Sequence, residues 1–413
     1  MSTEPKNALS LRTWLTENNG RFDNKVRFQP VLSGFSVIAT EEIAPETTIA
    51  SCPFDIAITR CSSKSSLLKL LKPSKVDVLD SWNERQCIAT YLCFHLILLP
   101  SDLDHFTFLR HGPYVLVLPP EEKMRTGLHF TPEEREMFRG SNLFGAIVDR
   151  EKEYRDEWVQ CLRVISECKA SWGTAFSWEL YRTATTHVSS RAFPSSLLSR
   201  NPSLSTSPSI EPILLPGIDS INHARGKPVS WVVTYPNHES PSTPPTISLK
   251  IHYPVSAGDE IFNNYGVKPN SELVLGYGFS ISENPDDTIL LKVGGGGVHA
   301  KRWEVGRQAR GADGLWAEIL SFISENEDAT YEDHLDASAM LTDMVDRLTS
   351  QLPPLKNKSF DPNTVRPEVV KMYHDYIEGQ RDILDALIKF AEAKKQAAVE
   401  WAAEEGVELV FDE

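Results

Sequence analysis

The chain has 413 residues, 41% of them hydrophobic and 24% charged, with 42 basic against 57 acidic side chains and a net charge of −15. Such a composition suits a soluble globular protein of two or three domains, large enough to bury its core without disulfide staples. The acidic balance argues against a general nucleic-acid binder and leaves room for a basic protein partner attracted at long range.

Residues near 9–18 read as a short helix, opened by Leu9, Leu11, Trp14 and Leu15. The stretch from Val31 to Ile58 is rich in β-branched residues and broken at Gly34, Pro45 and Pro53, which predicts several short strands with tight turns. From about 62 to 186 the pattern is helical. Its longest apolar run, Ile88 to Leu99, contains His95 and falls short of the roughly 18 residues a bilayer span needs, so it reads as a buried core helix. Thr131-Pro132-Glu133-Glu134 has the form of an N-cap, a proline at the first helical position and acids in the first turn. Tyr154, Trp158, Leu162 and Ile165 recur at helical spacing, and Ser177-Trp178-Glu179-Leu180 opens another helix.

Short strands return between about 213 and 282. Two segments rich in serine and proline, Ser195 to Ser209 and Pro236 to Thr246, read as surface loops. The glycine run Gly294 to Gly297 is a third loop, without the Gly-Lys-Ser/Thr ending of a phosphate cradle. Beyond about 300 the pattern is helical again, with a proline-containing connection from Leu348 to Arg366. A long amphipathic helix then carries Val369, Tyr373, Tyr376, Ile377, Ile383, Leu384, Leu387 and Phe390. The six cysteines, Cys52, Cys61, Cys87, Cys93, Cys161 and Cys168, form no Cys-x-x-Cys pair and have no histidines at zinc spacing. No metal site is expected, and with no secretory signal at the N-terminus the thiols are expected reduced, in cytoplasm or nucleus.

Two motifs carry the chemistry. One is Asp219-Ser220-Ile221-Asn222-His223. The other runs Gly258-Asp259-Glu260-Ile261-Phe262-Asn263-Asn264-Tyr265-Gly266 and continues to Leu275-Gly276-Tyr277-Gly278-Phe279. Together with Gly34-Phe35-Ser36-Val37-Ile38-Ala39, Gly140-Ser141-Asn142-Leu143, Ser190-Arg191-Ala192-Phe193 and Tyr376 to Leu384, in that order, they resemble SET-domain methyltransferases of the Rubisco large-subunit lysine methyltransferase branch. The resemblance covers most of the chain. It implies an α+β fold: the N-terminal part of a SET domain over 1–61, a helical insert over 62–186, the C-terminal SET part over 187–282, and an all-α substrate-binding domain over 283–413.

The resemblance also implies S-adenosyl-L-methionine as cofactor, a monomer without nucleic acid or membrane, and a protein substrate presenting a lysine, such as a ribosomal protein or translation factor. Tyr265 takes the catalytic place near the transferring methyl. Tyr277 and Phe279 would line the lysine channel, where an aromatic wall suits an alkyl stem ending in a cation. Gly34, Phe35, Ser36, Arg191, Asp219, Asn222, His223 and Tyr265 would hold the cofactor. Asparagine offers a donor and an acceptor to a zwitterion, and arginine a charge-assisted bond to a carboxylate. Ser36 stands where the family usually has glycine, which restricts a positive φ or a close backbone approach and is expected to lower efficiency.

The physical demands of the reaction fit these residues. In-line displacement at carbon needs alignment more than covalent help. A lysine must first lose its proton, at a cost of about 4–5 kcal/mol at pH 7, lowered by desolvation beside a cation. An imidazole avoids that cost, so protein-histidine methylation is the rival reading. A catalytically weak SET-fold binding module is another, motivated by Ser36 and the two loop insertions.

Overall fold

The computed structural model describes residues 4–409 except 73–75, 99–104, 205–206, 208, 237–243, 295–300, 325–327 and 356–360. The three expected loops fall partly outside the described residues. Two compact units divide the chain: residues 1–124 with 150–266, and 125–149 with 267–413. This grouping differs from the segmentation expected from sequence, because 125–149 and 267–282 go with the C-terminal unit.

In the first unit a four-stranded antiparallel sheet has the order β1 (Arg21–Phe22), β4 (Thr47–Pro53), β8 (Thr246–Ile251), β7 (Val229–Thr234). β8 sits inside it because Ile247, Leu249 and Ile251 alternate with Thr246, Ser248 and Lys250, so that one face is fully buried. A hairpin pairs β2 (Val26–Val31) with β3 (Gly34–Ala39), and β5 (Phe193–Pro194) pairs with β6 (Pro212–Ile213). The stretch read as helical carries α-helices from Arg60 to Arg191. Three of its helices start on side-chain caps: Thr59 accepts from the Ser62 amide before Arg60–Leu71, Asn83 from the Gln86 amide before Glu84–Ile97, and Ser177 from the Leu180 amide before Trp178–Arg191. The apolar run starting at Ile88 lies in Glu84–Ile97, where Gln86 to His95 are all buried.

The second unit opens with the capped turn expected at Thr131, whose side chain and that of Glu134 bond each other's backbone N–H. Its core gathers Leu315, Ile319, Leu341, Val345, Tyr373, Ile377, Leu384 and Leu387 from the helices Ala312–Ile323, Tyr331–Gln351 and Pro367–Glu404. The last helix is 38 residues long and takes in most of the alanine- and glutamate-rich tail. The stretch after 300 does not begin helical: β10 (Lys301–Gly306) pairs antiparallel with β9 (Thr288–Val293), and Ile289, Leu291 and Val293 bury one face of β9. The expected connection starts later than Leu348, since the preceding helix runs to Gln351, just before Pro353 and Pro354 stop it.

One turn in this unit is wider than an α-helix. Leu273–Tyr277 is π-helical, closed by the Gly278 N–H donating to the Leu273 carbonyl at 2.8 Å. Gly278 ends it at φ +80, and a Cβ there would lie 2.8 Å from the Arg125 carbonyl carbon, so the position requires glycine. Among the described residues no helix is long and apolar enough to cross a membrane, and no cluster of metal-ligating side chains occurs.

Candidate active site

Three segments distant in sequence lie side by side in the first unit. The stretch 258–261 runs along β3: the Ala39 N–H donates to the Asp259 carbonyl at 2.9 Å, the Ile261 N–H to the Val37 carbonyl at 2.8 Å, and Ile38 bridges Glu260. Just beyond, Asn263 meets the 219–224 segment. Its N–H donates to the Asn222 carbonyl at 2.7 Å, and its carbonyl accepts from the Ala224 N–H at 2.9 Å. Tyr253 pins the link between these contacts, since its hydroxyl donates to the Phe262 carbonyl at 2.6 Å and accepts the Phe262 N–H at 2.8 Å.

This threading brings most of the expected site residues together. Gly34 begins β3 at φ +137, with room on its α-carbon for no more than hydrogen, since a Cβ would stand 2.9 Å from Pro119 Cγ. Ser36 is buried in the same strand, and its backbone is not in the positive-φ region. The position therefore does not call for a positive φ; the Ser36 hydroxyl lies 3.4 Å from Asn222 Nδ2. The same Nδ2 donates to Glu260 Oε1 at 2.7 Å and lies 3.4 Å from the Phe35 carbonyl.

His223 and Tyr265 act as one unit. The Tyr265 N–H donates to His223 Nδ1 at 2.9 Å, so Nδ1 is an acceptor and the ring proton of the neutral tautomer sits on Nε2. The two rings stack with centroids 5.0 Å apart and planes 26° apart. The Tyr265 hydroxyl donates to the Ile221 carbonyl at 3.0 Å. Its proton is thereby committed to a backbone acceptor, and the phenol oxygen offers lone pairs elsewhere.

Arg191 ends the helix Trp178–Arg191 and donates to the Asp219 carbonyl at 2.9 Å, with Nη1 3.7 Å from Asp219 Oδ2. Arg191 keeps 21% of its side chain exposed, whereas that of Asp219 is fully buried. Asp219 therefore stands behind the guanidinium. The Tyr114 hydroxyl donates to Asp219 Oδ2 at 2.6 Å. Burial pushes the Asp219 carboxyl up, with Arg191 and Tyr114 opposing the shift. Asp219 Oδ1 and Asn263 Nδ2 are buried with no hydrogen-bond partner among the described residues, as in a site built to be completed by something else. A cavity of about 570 Å³ opens beside Gly34 and Phe35, lined also by Pro119, Thr183, Ala184 and His187.

Tyr277 and Phe279 belong to the second unit. Their rings lie 6.3 Å apart at 72°, and Lys268 Nζ lies 5.3 Å from the Tyr277 ring centroid. Sequence reasoning gave no role to Glu260, Tyr114 or Tyr253. Glu260 lies inside a quoted motif, but only the pairing of β3 with 258–261 shows what it faces. Tyr114 and Tyr253 had no local signal.

The folded chain resembles the SET domain of the Rubisco large-subunit methyltransferase, crystallised with lysine and S-adenosylhomocysteine, at a TM-score of 0.75 and 16% identity over 96% of this chain and 94% of that one. This is a SET-domain fold of the Rubisco large-subunit methyltransferase type. In sequence, this SET-domain chain is 32% identical over 259 residues to ribosomal lysine N-methyltransferase set10 of Schizosaccharomyces pombe, covering 63% of this chain and 42% of that protein. It is 25% identical over 287 residues to the actin-histidine N-methyltransferase of Gallus gallus, covering 68% of this chain and 44% of that protein. The chain thus spans less than half the length of these relatives. No family model matches it.

Proposed function

We propose that this SET-domain chain is an S-adenosylmethionine-dependent protein-lysine N-methyltransferase acting on a non-histone protein such as a ribosomal protein, in cytoplasm or nucleus. One observation carries the reading: backbone pairing between segments about forty residues apart stacks His223 on Tyr265 and sets Asn222 beside Glu260, with Ser36 of β3 against the same amide. The likeness to set10 supports lysine on a ribosomal protein as the acceptor.

The residues present suit the cofactor. A guanidinium held from behind by a buried carboxylate matches its carboxylate, and an amide with one face still outward matches its ammonium. When bound, S-adenosylmethionine supplies an electrophilic methyl on a cationic sulfur. The chain's own groups then orient and polarise. Tyr265, with its proton donated to Ile221, presents an acceptor oxygen for weak C–H···O or N–H contacts and is not arranged as a strong base. His223 fixes the Tyr265 backbone, and hence the phenol, through Nδ1. Gly34 and Phe35 line the cavity of about 570 Å³ and offer backbone there. For Tyr277 and Phe279, the role of aromatic wall for the acceptor's alkyl stem rests on the family resemblance alone.

A second reading, methylation of histidine, is favoured by the likeness to the actin-histidine enzyme. One experiment separates the readings. Purified protein is incubated with methyl-labelled donor and a lysate, and the labelled band is digested for mass spectrometry. Methyl-lysine is the expected product and methyl-histidine would replace it with the second reading. Tight donor binding with no labelled acceptor would leave a binding module.

A further inference from the structure

Asn222 is where the three segments meet, and the sense of its side-chain amide decides what it can bind. The atom facing inward lies 2.7 Å from Glu260 Oε1, 3.4 Å from the Phe35 carbonyl and 3.4 Å from Ser36 Oγ. A carboxylate and a peptide carbonyl only accept, so the inward atom is the NH₂ group. The amide plane then turns Oδ1 to the opposite side. Glu260 is itself held in place: Ile38 bridges it, and its neighbours Asp259 and Ile261 bond the backbone of Ala39 and Val37.

We propose that Glu260, aided by Ser36, locks the Asn222 amide with its oxygen outward, making Asn222 an acceptor that selects a donor whose amino-acid end carries a protonated amine. The inference rests on the donor-binding reading above. Glu260 is a positioning residue, acting through Asn222. An unlocked asparagine could rotate and offer NH₂ to an ammonium, a donor facing a donor, whereas the locked one presents only its oxygen. The serine that departs from the family glycine is part of this device: its buried Oγ is a further oxygen beside the same NH₂ group.

The test uses the full chain and calorimetry with two ligands, S-adenosylhomocysteine and 5′-methylthioadenosine, the second lacking the amino-acid end. Glu260→Gln keeps the shape but removes the charge, and its own amide can turn NH₂ toward Asn222. It should weaken S-adenosylhomocysteine about tenfold, the scale of one charge-assisted hydrogen bond, and leave 5′-methylthioadenosine within about twofold. Asn222→Asp should also weaken the first ligand, because it places two carboxylates together. The double variant N222D/E260Q exchanges donor and acceptor. The introduced amide would donate to the introduced carboxylate, restoring an outward oxygen and returning affinity to within about threefold of the original. A merely structural Glu260 would give no such recovery.

Ser36→Ala reads the same preference on a smaller scale, about threefold, and serves if Glu260→Gln fails to fold. Unchanged affinity in Glu260→Gln, equal loss of both ligands, or a double variant no tighter than the single ones would overturn the lock. An unaltered chain that binds neither ligand would bring down the donor-binding reading itself, a different result from any of these.

Discussion

Each compact unit buries an aspartate against an arginine, Asp219 with Arg191 in the first and Asp287 with Arg307 in the second, and the two pairs are finished differently. Asp287 accepts the Asn270 N–H at 2.7 Å, the Asn270 side-chain amide at 3.1 Å and Arg307 at 3.2 Å. Arg307 also donates to Glu378, to Asp382 and to the Asn284 carbonyl. Helix Pro367–Glu404 accommodates this cluster only with a glycine at 379, since a Cβ there would stand 2.3 Å from Asp287 Oδ2. The Asp219 pair lacks that completeness: one carboxylate oxygen has no partner among the described residues. A saturated network fixes a scaffold, whereas one with unused capacity has room for a further polar partner.

The contrast can be broken most severely next to the unfinished pair. Tyr265→Phe should slow methyl transfer by about 100-fold or more while donor affinity stays within about threefold, because the phenol oxygen acts on the reacting centre and not on the cofactor's ends. Single-turnover rates and calorimetry would check it, and unchanged turnover would remove Tyr265 from the mechanism. Arg307→Ala, at the finished pair, should cost about 3–5 kcal/mol of stability by stranding a buried charge, with donor affinity unaltered in whatever fraction remains folded. Urea unfolding beside calorimetry would read both.

The finished pair also carries a pH signature. Burial pushes Asp287 up to about 6, with Asn270 and Arg307 opposing it. The folded form then binds its proton more tightly than the unfolded chain, so this group's stabilising contribution is present below the ordinary aspartate range and is lost as pH rises from about 4 to about 6. The loss should be on the order of 2–3 kcal/mol. In Asp287→Asn, unfolding free energies measured at pH 4, 5 and 6 should lack this decline. Asn222→Ala should weaken donor binding about tenfold with little change in unfolding, and unaltered affinity in calorimetry would remove Asn222 from the cofactor site. The smallest effect is expected at Tyr114→Phe, about 1 kcal/mol of stability from one lost hydrogen bond to Asp219, accompanied by a modest rise in the donor dissociation constant as Arg191 loses its backing.

Much of this was readable before any coordinates, and the reason is local. Thr131-Pro132-Glu133-Glu134 announces its helix because capping chemistry is complete within four residues. Asn222, His223 and Tyr265 are visible as a motif because each sits in a short segment of unusual composition. Glu260 facing Asn222, and Tyr114 behind Asp219, depend on pairings that span 38 and 105 positions, which no periodicity encodes. The φ angle of Ser36 is hidden for the same reason, since a backbone angle set by strand pairing cannot be read from residue type. The strands β9 and β10 were missed where glycines and charged residues weaken the alternation that marks a half-buried strand.

The wide turn at Leu273–Tyr277 gives the chain an unusual tolerance of a change in length. It holds one residue more than an ordinary helical turn would, and Gly278 closes it against Arg125. Loss of a single codon inside it would let the segment relax into regular α geometry with the residues beyond it kept nearly in phase, because a π turn spends one more residue on one rotation of the chain than an α turn does. A one-residue deletion here would thus be absorbed locally, whereas the same deletion in a regular helical turn would rotate everything beyond it by roughly 100°.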